Sequence, residues 1–169
     1  MTAELTDSRA VSAAQFRAAF RRHAAGVVVI TADAGNGPAG MTATSLASIS
    51  LEPALVSFAV ATTASAWGTL AVADAVAVHL LGHAHADLAR RFATSGIDRF
   101  AAPTRWTRFS DGVPVLTDAA TVLHCVIRDR LAAGDHRVVI AEVTEVIQRD
   151  PVAPLVYHDG DYRTIERPS

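Results

Sequence analysis

The sequence predicts one mainly β domain, a closed or nearly closed antiparallel barrel with a few helices. Short apolar strands recur at brief spacing along the 169 residues, with turn residues between them. Two or three helical segments interrupt the strands, but no β-α unit repeats, which disfavours a doubly wound sheet. Half of the residues are hydrophobic and 19% are charged, so the chain can bury a core without disulfides or structural metals.

The beginning of the chain predicts a helix and then a hairpin. Ser12 and Gln15 have the spacing of a capping box, and apolar side chains follow at helical spacing, so residues 13–23 should form an amphipathic helix. Residues 27–31 have the composition of a buried strand. Its turn is expected at residues 35–38, because glycine and Asn-Gly adopt positive φ at low cost.

The middle of the chain alternates between strands and short helices. Strands are expected on both sides of Pro53, and Ser65 is a candidate N-cap for a helix that reaches Leu70. Residues 76–80 then return to strand. Residues 87–93 carry apolar side chains four apart and predict the next helical turn.

The last part of the chain predicts a loop and two hairpins. Residues 94–118 contain several glycines and prolines, so they are expected to be irregular and mobile. Residues 121–147 alternate apolar and polar side chains around Gly134 and Asp135, which predicts two long antiparallel strands. A final short pair of strands is expected around residues 158–161.

Residues 1–12 are expected to form a flexible segment, and residues 13–169 a single domain.

Composition excludes several classes of function. All fifteen basic residues are arginine, which excludes Schiff-base chemistry and a P-loop lysine. The net charge of −2 leaves no electrostatic footprint for nucleic acid or an anionic membrane. Without a bilayer-spanning apolar run or a signal-like amino terminus, the protein is expected to be cytoplasmic.

Metal and nucleophile sites receive little support. His83 and His85 are two residues apart, with Asp87 beyond them, and in a helix such positions point apart, so a solvated helix entrance is favoured over a metal site. Cys125 alternates with apolar neighbours, which favours a core position over a nucleophile. The chain has neither a Gly-x-Ser-x-Gly elbow nor the glycine-rich turn of a Rossmann domain.

Two segments rich in small hydroxylated residues are candidate binding surfaces. In residues 40–50, small side chains would let a flat ligand approach the backbone, and hydroxyl and N–H groups could bond to ring heteroatoms, a ribityl chain or a phosphate. A strand with a polar outer face explains this segment equally well. Residues 62–65 precede a predicted helix whose amino terminus would favour an anion, although a simple serine N-cap is the other explanation.

Seven short motifs follow one another along the chain, at residues 40–45, 48–53, 65–67, 88–92, 98–100, 134–136 and 154–157. Their order resembles the flavin reductase-like family, the small reductase components of two-component flavin-dependent monooxygenases. The resemblance extends over about residues 13–165 and implies the FMN-binding split barrel.

The resemblance implies a set of cofactor-binding residues. These are Met41, Thr42, Ala43, Thr44, Ser45, Thr62, Ser65, Arg91, Phe92, Gly134, Asp135, His136 and Tyr157. The family roles place residues 42–45 along the flavin ring and ribityl chain, and Thr62, Ser65 and Arg91 near the phosphate. The turn at 134–136 would bind nicotinamide, with His136 as the catalytic residue in a positioning or electrostatic role. Proton delivery by His136 and a solvated turn histidine are the alternatives.

The activity that the resemblance implies is an NAD(P)H:flavin oxidoreductase. NADH or NADPH would reduce FMN or FAD, and the reduced flavin would diffuse to a partner monooxygenase. A homodimer is expected, in which the second subunit completes the pocket. The alternatives are a flavin-binding barrel without turnover, such as an electron carrier or flavin store, and a non-flavin barrel for an apolar ligand. Glu142 stands where the family often has glycine, and its role is open.

Overall fold

A computed structural model describes residues 10–165, so most of the predicted flexible segment, residues 1–9, lies outside the described residues. The helices are α1 (Ala13–Phe20), α2 (Trp67–Leu70) and α3 (Ala86–Ala93). The strands are β1 (Ala25–Gly26), β2 (Val28–Asp33), β3 (Pro38–Ala43), β4 (Ala47–Leu51), β5 (Ala54–Ala61), β6 (Ala75–Leu80), β7 (Trp106–Arg108), β8 (Pro114–Leu116), β9 (Thr121–Ala133), β10 (His136–Gln148), β11 (Leu155–His158) and β12 (Asp161–Thr164).

Seven strands form one antiparallel sheet in the order β3-β2-β6-β9-β10-β5-β4. Its two edge strands, β3 and β4, are consecutive in the chain and are joined by residues 44–46, which we call the edge link. The Ser45 hydroxyl accepts a hydrogen bond from the Ala59 N–H at 2.9 Å and lies 3.3 Å from the Ala59 carbonyl oxygen on β5. The sheet therefore curls until its edges meet at the edge link, and the mainly β antiparallel prediction is confirmed.

The predicted long hairpin is formed by β9 and β10. Its two-residue turn needs Gly134, which has φ of +60°, a left-handed conformation that residues with a Cβ rarely adopt. Thr62, just beyond β5, donates from its backbone N–H and its hydroxyl to the Asp135 carbonyl oxygen, at 3.0 and 3.1 Å. The turn is thereby held against the end of β5, which places His136 beside the edge link.

The expectation of an irregular segment over residues 94–118 is partly wrong. Strands β7 and β8 form a small hairpin there, and residues 113–116 are buried. The Thr31 hydroxyl donates to the Pro114 carbonyl oxygen at 2.5 Å, which ties this hairpin to β2. Three-residue strands are too short to show an alternating pattern in sequence, and tertiary contacts define them instead.

The core lies on both sides of β2. Val28 and Ile30 face the barrel interior, whereas Val27 and Val29 face a second cluster that includes Phe92 of α3. Both faces of β2 are covered, which explains its unbroken apolar run. Cys125 is fully buried in the interior cluster, and burial raises the pKa of its thiol to about 12, so it is a core residue.

His79 on β6 is a fully buried polar side chain. Its Nε2 accepts the backbone N–H of Leu116 at 2.9 Å, so Nδ1 must carry the proton that bonds to the Val29 carbonyl oxygen at 3.0 Å. The neutral ring thus bridges β2, β6 and β8. Because burial penalises the charged form, the pKa of His79 falls to about 4.

The helices agree with the sequence in type and differ at some ends. The capping box at Ser12 and Gln15 is present, whereas α1 ends at Phe20 rather than at residue 23. The predicted final strand pair is β11 with β12, which joins β1 in a separate three-stranded sheet. Within residues 10–165, no helix is both long enough and apolar enough to cross a membrane.

Candidate functional site

A cavity of about 420 Å³ opens where the edge link faces the end of α3 and the residues before α2. It lies at the meeting point of the two sheet edges, where strand pairing stops. Eight of the residues named from the sequence line it: Met41, Thr42, Ala43, Thr44, Ser45, Ser65, Phe92 and His136.

The walls of this cavity carry mostly small side chains. Besides residues from the edge link, its lining includes the alanines at positions 43, 59, 61, 64, 66 and 93. Methyl groups leave room for a planar ligand to lie close to the backbone. At one end, Phe92 packs so tightly against Gly40 that a Cβ at Gly40 would lie 2.7 Å from the Phe92 ring. Glycine is required there by this close approach.

Residues 42–45 offer free backbone donors, whereas two of their three hydroxyls are used within the protein. Within the described chain, the N–H groups of Thr44 and Ser45 have no protein acceptor, because they lie between the β3 and β4 ladders. The Thr42 hydroxyl donates to the Ala89 carbonyl oxygen at 2.6 Å, and the Ser45 hydroxyl is held by Ala59. Both hydroxyls therefore support the fold, and the unpaired N–H groups remain for a ligand.

Arg99 supplies the positive charge of the cavity. Its Nε donates to the Thr94 carbonyl oxygen at 3.0 Å, and its Nη1 donates to the Gly40 carbonyl oxygen at 2.8 Å and the Ser65 hydroxyl at 2.9 Å. Neither the Nη2 donors nor the charge has a partner among residues 10–165. Burial lowers the pKa of Arg99, because the half-buried guanidinium has lost water without gaining a carboxylate. An anion bound in the cavity would accept hydrogen bonds from Nη2 and balance the charge of Arg99.

Ser65 has a different role from the one predicted. The N-cap of α2 is Ala66, and no side chain caps this helix, so the prediction of a Ser65 N-cap is wrong. Its hydroxyl turns instead toward Arg99, 34 residues away in sequence. With its oxygen accepting from Arg99, the hydroxyl can still donate to an anion.

Arg91, the arginine named from the sequence, does not line the cavity. Its guanidinium donates to the carbonyl oxygens of Asp98 and Ala102, at 3.2 and 3.3 Å, and so holds the segment after α3. That segment carries Arg99. The structure thus brings Arg99 to the cavity, and the phosphate contact of Arg91 stays a prediction.

His136, the first residue of β10, also lines the cavity. Its Nδ1 lies 2.7 Å from the Asp135 carboxylate, which leaves Nε2 for a ligand. The hydrogen bond from His136 lowers the pKa of the exposed Asp135 carboxyl. The carboxylate therefore stays ionised and orients the ring.

The remaining predicted residues lie outside the cavity wall. Thr62, Gly134 and Asp135 shape and anchor the turn that carries His136. Tyr157 lies on β11 and lines a separate groove. Their direct contacts with a cofactor stay predictions.

No metal centre accompanies the cavity among the residues that the structure describes. His83 is exposed, and the Nδ1 of His85 accepts the Gly82 N–H at 3.1 Å at the entrance to α3. The cavity therefore combines walls of small side chains, free backbone donors, one guanidinium without a carboxylate partner among the described residues and one oriented imidazole. These groups fit a flat aromatic ligand with an anionic tail.

Comparisons with known proteins agree with this chemistry. Residues 20–166 match the family described as flavin reductase like domain. The chain is 43% identical over 159 residues to an NADH:FMN oxidoreductase of Rhodococcus erythropolis, which covers 92% of this chain and 83% of the relative.

Two solved structures are similar over nearly their whole length. The NADH:FAD oxidoreductase of Streptomyces globisporus C-1027, in complex with NAD and FAD fragments, has a TM-score of 0.86 at 30% identity, covering 97% of this chain and 98% of its own. The flavin reductase component of a bacterial two-component tryptophan halogenase has a TM-score of 0.84 at 28% identity, covering 93% and 100%.

Proposed function

The chain belongs to the flavin reductase-like domain family, and from that premise we propose that it is an NADH:flavin oxidoreductase. The observation that carries the proposal is the Arg99 guanidinium, which lines a cavity walled largely by alanines and has no carboxylate partner among the described residues. When bound there, the flavin supplies a ring that accepts a hydride from the nicotinamide. The protein mainly has to bind and align two ring systems.

The flavin would be held by three kinds of group. Arg99 and the Ser65 hydroxyl would bind its phosphate, since guanidinium and hydroxyl donors suit phosphate oxygens. The N–H groups of Thr44 and Ser45 would bond to polar atoms of the ring or ribityl chain. FMN is the favoured flavin, because its phosphate is the anion for which these donors are suited and because the Rhodococcus relative is an NADH:FMN oxidoreductase.

His136 would position the nicotinamide. Its ring is fixed by Asp135, so Nε2 is presented to the cavity in one orientation. A hydride needs no acid or base from the protein to move between two rings, so orientation is the role that the geometry supports. The distance between the reacting atoms of the nicotinamide and the flavin would then depend on how firmly the His136 imidazole is held.

The protein would act as a homodimer and pass its product to a second enzyme. Large apolar side chains are exposed on the edge strand β4, with Ile49 47% and Leu51 87% exposed, and such edges need a cover. A second copy would cover this strand beside the open cavity. The similarity to a halogenase reductase component supports transfer of diffusible reduced flavin to a flavin-dependent monooxygenase. The cytoplasmic location stays a prediction.

The test of the activity mixes the purified protein with each pairing of NADH or NADPH and FMN or FAD, and follows nicotinamide oxidation. Turnover with NADH and FMN is expected, and His136→Asn should lower kcat/KM for NADH. His83→Asn is the matched control, because His83 is exposed and lines no described part of the cavity. Flavin binding without turnover in any pairing would identify a flavin carrier and overturn the reductase.

The dimer is tested separately by light scattering after size-exclusion chromatography. The wild-type protein should have twice the mass of the chain, and Leu51→Glu should reduce it to one chain. A monomeric wild-type protein with full activity would contradict the second copy's part in the site.

A further inference from the structure

Residues 98–102, which we call the arginine loop, carry Arg99 to the cavity without belonging to a helix or a strand. Because such backbone lacks the regular pairing of a helix or a sheet, its carbonyl oxygens need donors from elsewhere. In the arginine loop all five consecutive carbonyl oxygens accept a hydrogen bond from the protein. The conformation of the loop, and with it the place of Arg99, is therefore set by a few identifiable donors.

Two of the donor residues come from the chain that follows the loop. The Thr104 hydroxyl donates to the Arg99 carbonyl oxygen at 2.7 Å, and the Thr104 N–H donates to that of Ala101 at 3.1 Å. The indole Nε1 of Trp106 donates to the Phe100 carbonyl oxygen at 3.0 Å. These bonds shape the loop and join it to the segment that leads into β7, but they do not join it to α3.

Arg91 on α3 supplies the remaining two bonds, one at each end of the loop. Its Nη1 donates to the Asp98 carbonyl oxygen at 3.2 Å, and its Nη2 donates to that of Ala102 at 3.3 Å. One planar guanidinium thus spans the loop, a geometry that the single nitrogen of a lysine cannot reproduce. The next residue, Phe92, lines the cavity, so the helix that holds the loop also forms part of the cavity wall.

The Arg91 guanidinium has no stronger partner that would explain its place. Among residues 10–165 it forms no ion pair, and it does not line the cavity. The rings of Phe92 and Phe100 pack 5.2 Å apart and give the loop a second, apolar contact with α3. Removal of the Arg91 bonds should therefore shift the loop without unfolding the domain.

The Arg99 guanidinium can tolerate little movement of the loop. Its Nε and Nη1 donate to three acceptors that lie on different elements: the carbonyl oxygens of Thr94 after α3 and Gly40 on β3, and the Ser65 hydroxyl before α2. Hydrogen bonds weaken steeply beyond about 3.2 Å, so a shift of about 1 Å would break some of these bonds and turn Nη2 away from the cavity.

From these contacts we infer that Arg91 is a positioning residue, whose two bonds hold the arginine loop so that Nη2 of Arg99 faces a bound phosphate. The inference rests on the proposed function, because the phosphate is that of the flavin. Arg91 acts through Arg99 and makes no contact with the ligand. The backbone donors at Thr44 and Ser45, which would bind the ring or ribityl chain, do not depend on it.

The test measures the Kd of FMN and of riboflavin by fluorescence titration in Arg91→Gln, Arg99→Gln and the double variant. Arg91→Gln should raise the Kd for FMN about tenfold, since the displaced Arg99 loses about one charge-assisted bond to the phosphate. Riboflavin has no phosphate, so its Kd should not change. In the Arg99→Gln background, Arg91→Gln should have no added effect, because the guanidinium that it positions is absent.

Two further variants sharpen the comparison. Arg91→Lys keeps the positive charge but can donate from only one nitrogen, so it should raise the Kd for FMN about threefold. Arg90→Gln is the matched control, because Arg90 is the neighbouring arginine on α3, bonds to Asp87 at 3.0 Å and does not line the cavity. It should leave both affinities at the wild-type values.

The possible outcomes separate the two proposals. A wild-type protein that binds neither FMN nor riboflavin would overturn the proposed function itself. An unchanged Kd for FMN in Arg91→Gln would overturn only the positioning role, as would equal weakening of FMN and riboflavin, which would assign Arg91 to general support of the fold. Further weakening of FMN in the Arg99→Gln background would show a direct phosphate contact and likewise overturn it. If Arg91→Gln does not fold, the same comparisons are made with Arg91→Lys.

Discussion

Replacing Arg99 with glutamine tests the origin of flavin affinity. The two N–H groups of Nη2 have no acceptor among the described residues and would bond to the phosphate. Charge-assisted bonds contribute about 1.5 to 3 kcal/mol each, so the lower value for two bonds gives about 3 kcal/mol. Arg99→Gln should therefore raise the Kd for FMN roughly a hundredfold.

The assay is a fluorescence titration of FMN and, in parallel, of riboflavin, which has the same ring system without the phosphate. The Kd for riboflavin should change little in Arg99→Gln, because the ring contacts remain. Arg22→Gln is the matched arginine control and should leave both affinities near wild type, because Arg22 is exposed and does not line the cavity. Equal weakening of FMN and riboflavin would refute the phosphate role and show that Arg99 only supports the cavity wall.

Three further outcomes follow from the fold and the site. Because the pKa of His79 is about 4 when folded and 6.5 when exposed, the unfolded chain binds the extra proton as pH falls through this range. The free energy of unfolding should drop by about 3 kcal/mol between pH 6.5 and 4 in denaturant titrations, and His79→Gln should lose that slope. Gly40→Ala should cost about 1 to 3 kcal/mol by displacing Phe92, whereas Gly68→Ala, which meets no atom within 4 Å, should not destabilise in thermal melts. Asp135→Asn should lower kcat/KM for NADH without changing FMN affinity, and in a double-mutant cycle it should add nothing to His136→Asn.

Local sequence chemistry predicted much of the fold. The capping box at Ser12 and the turn at Gly134 are decided by neighbours in sequence, and both are where the pattern placed them. Ser65 shows the limit of such reasoning. A serine before a helix is a reasonable cap, but Arg99 competes for its hydroxyl across 34 residues, and no local pattern contains that partner.

The sequence predicts only part of the candidate site, because some of its contacts join residues that are distant in the chain. The density of small residues over 40–50 fits a binding surface and a plain strand equally, and the family resemblance singles out residues 41–45, Phe92 and His136, all of which line the cavity. The resemblance points to Arg91 rather than to Arg99, although the motif at residues 98–100 contains Arg99. Which arginine turns inward depends on how the segment after α3 folds back, and that segment is too irregular to be read from periodicity.

A ligand bound at the edge link would stabilise the contact between the two edges of the sheet. The Ser45 hydroxyl already accepts a hydrogen bond from β5, and the N–H groups of Thr44 and Ser45 would donate to the ligand. A ligand that binds only when the two sheet edges are in contact would favour that arrangement by mass action. Backbone amides along β3 and β4 should then exchange with solvent more slowly as the flavin concentration rises. Their exchange should become faster again when the flavin dissociates.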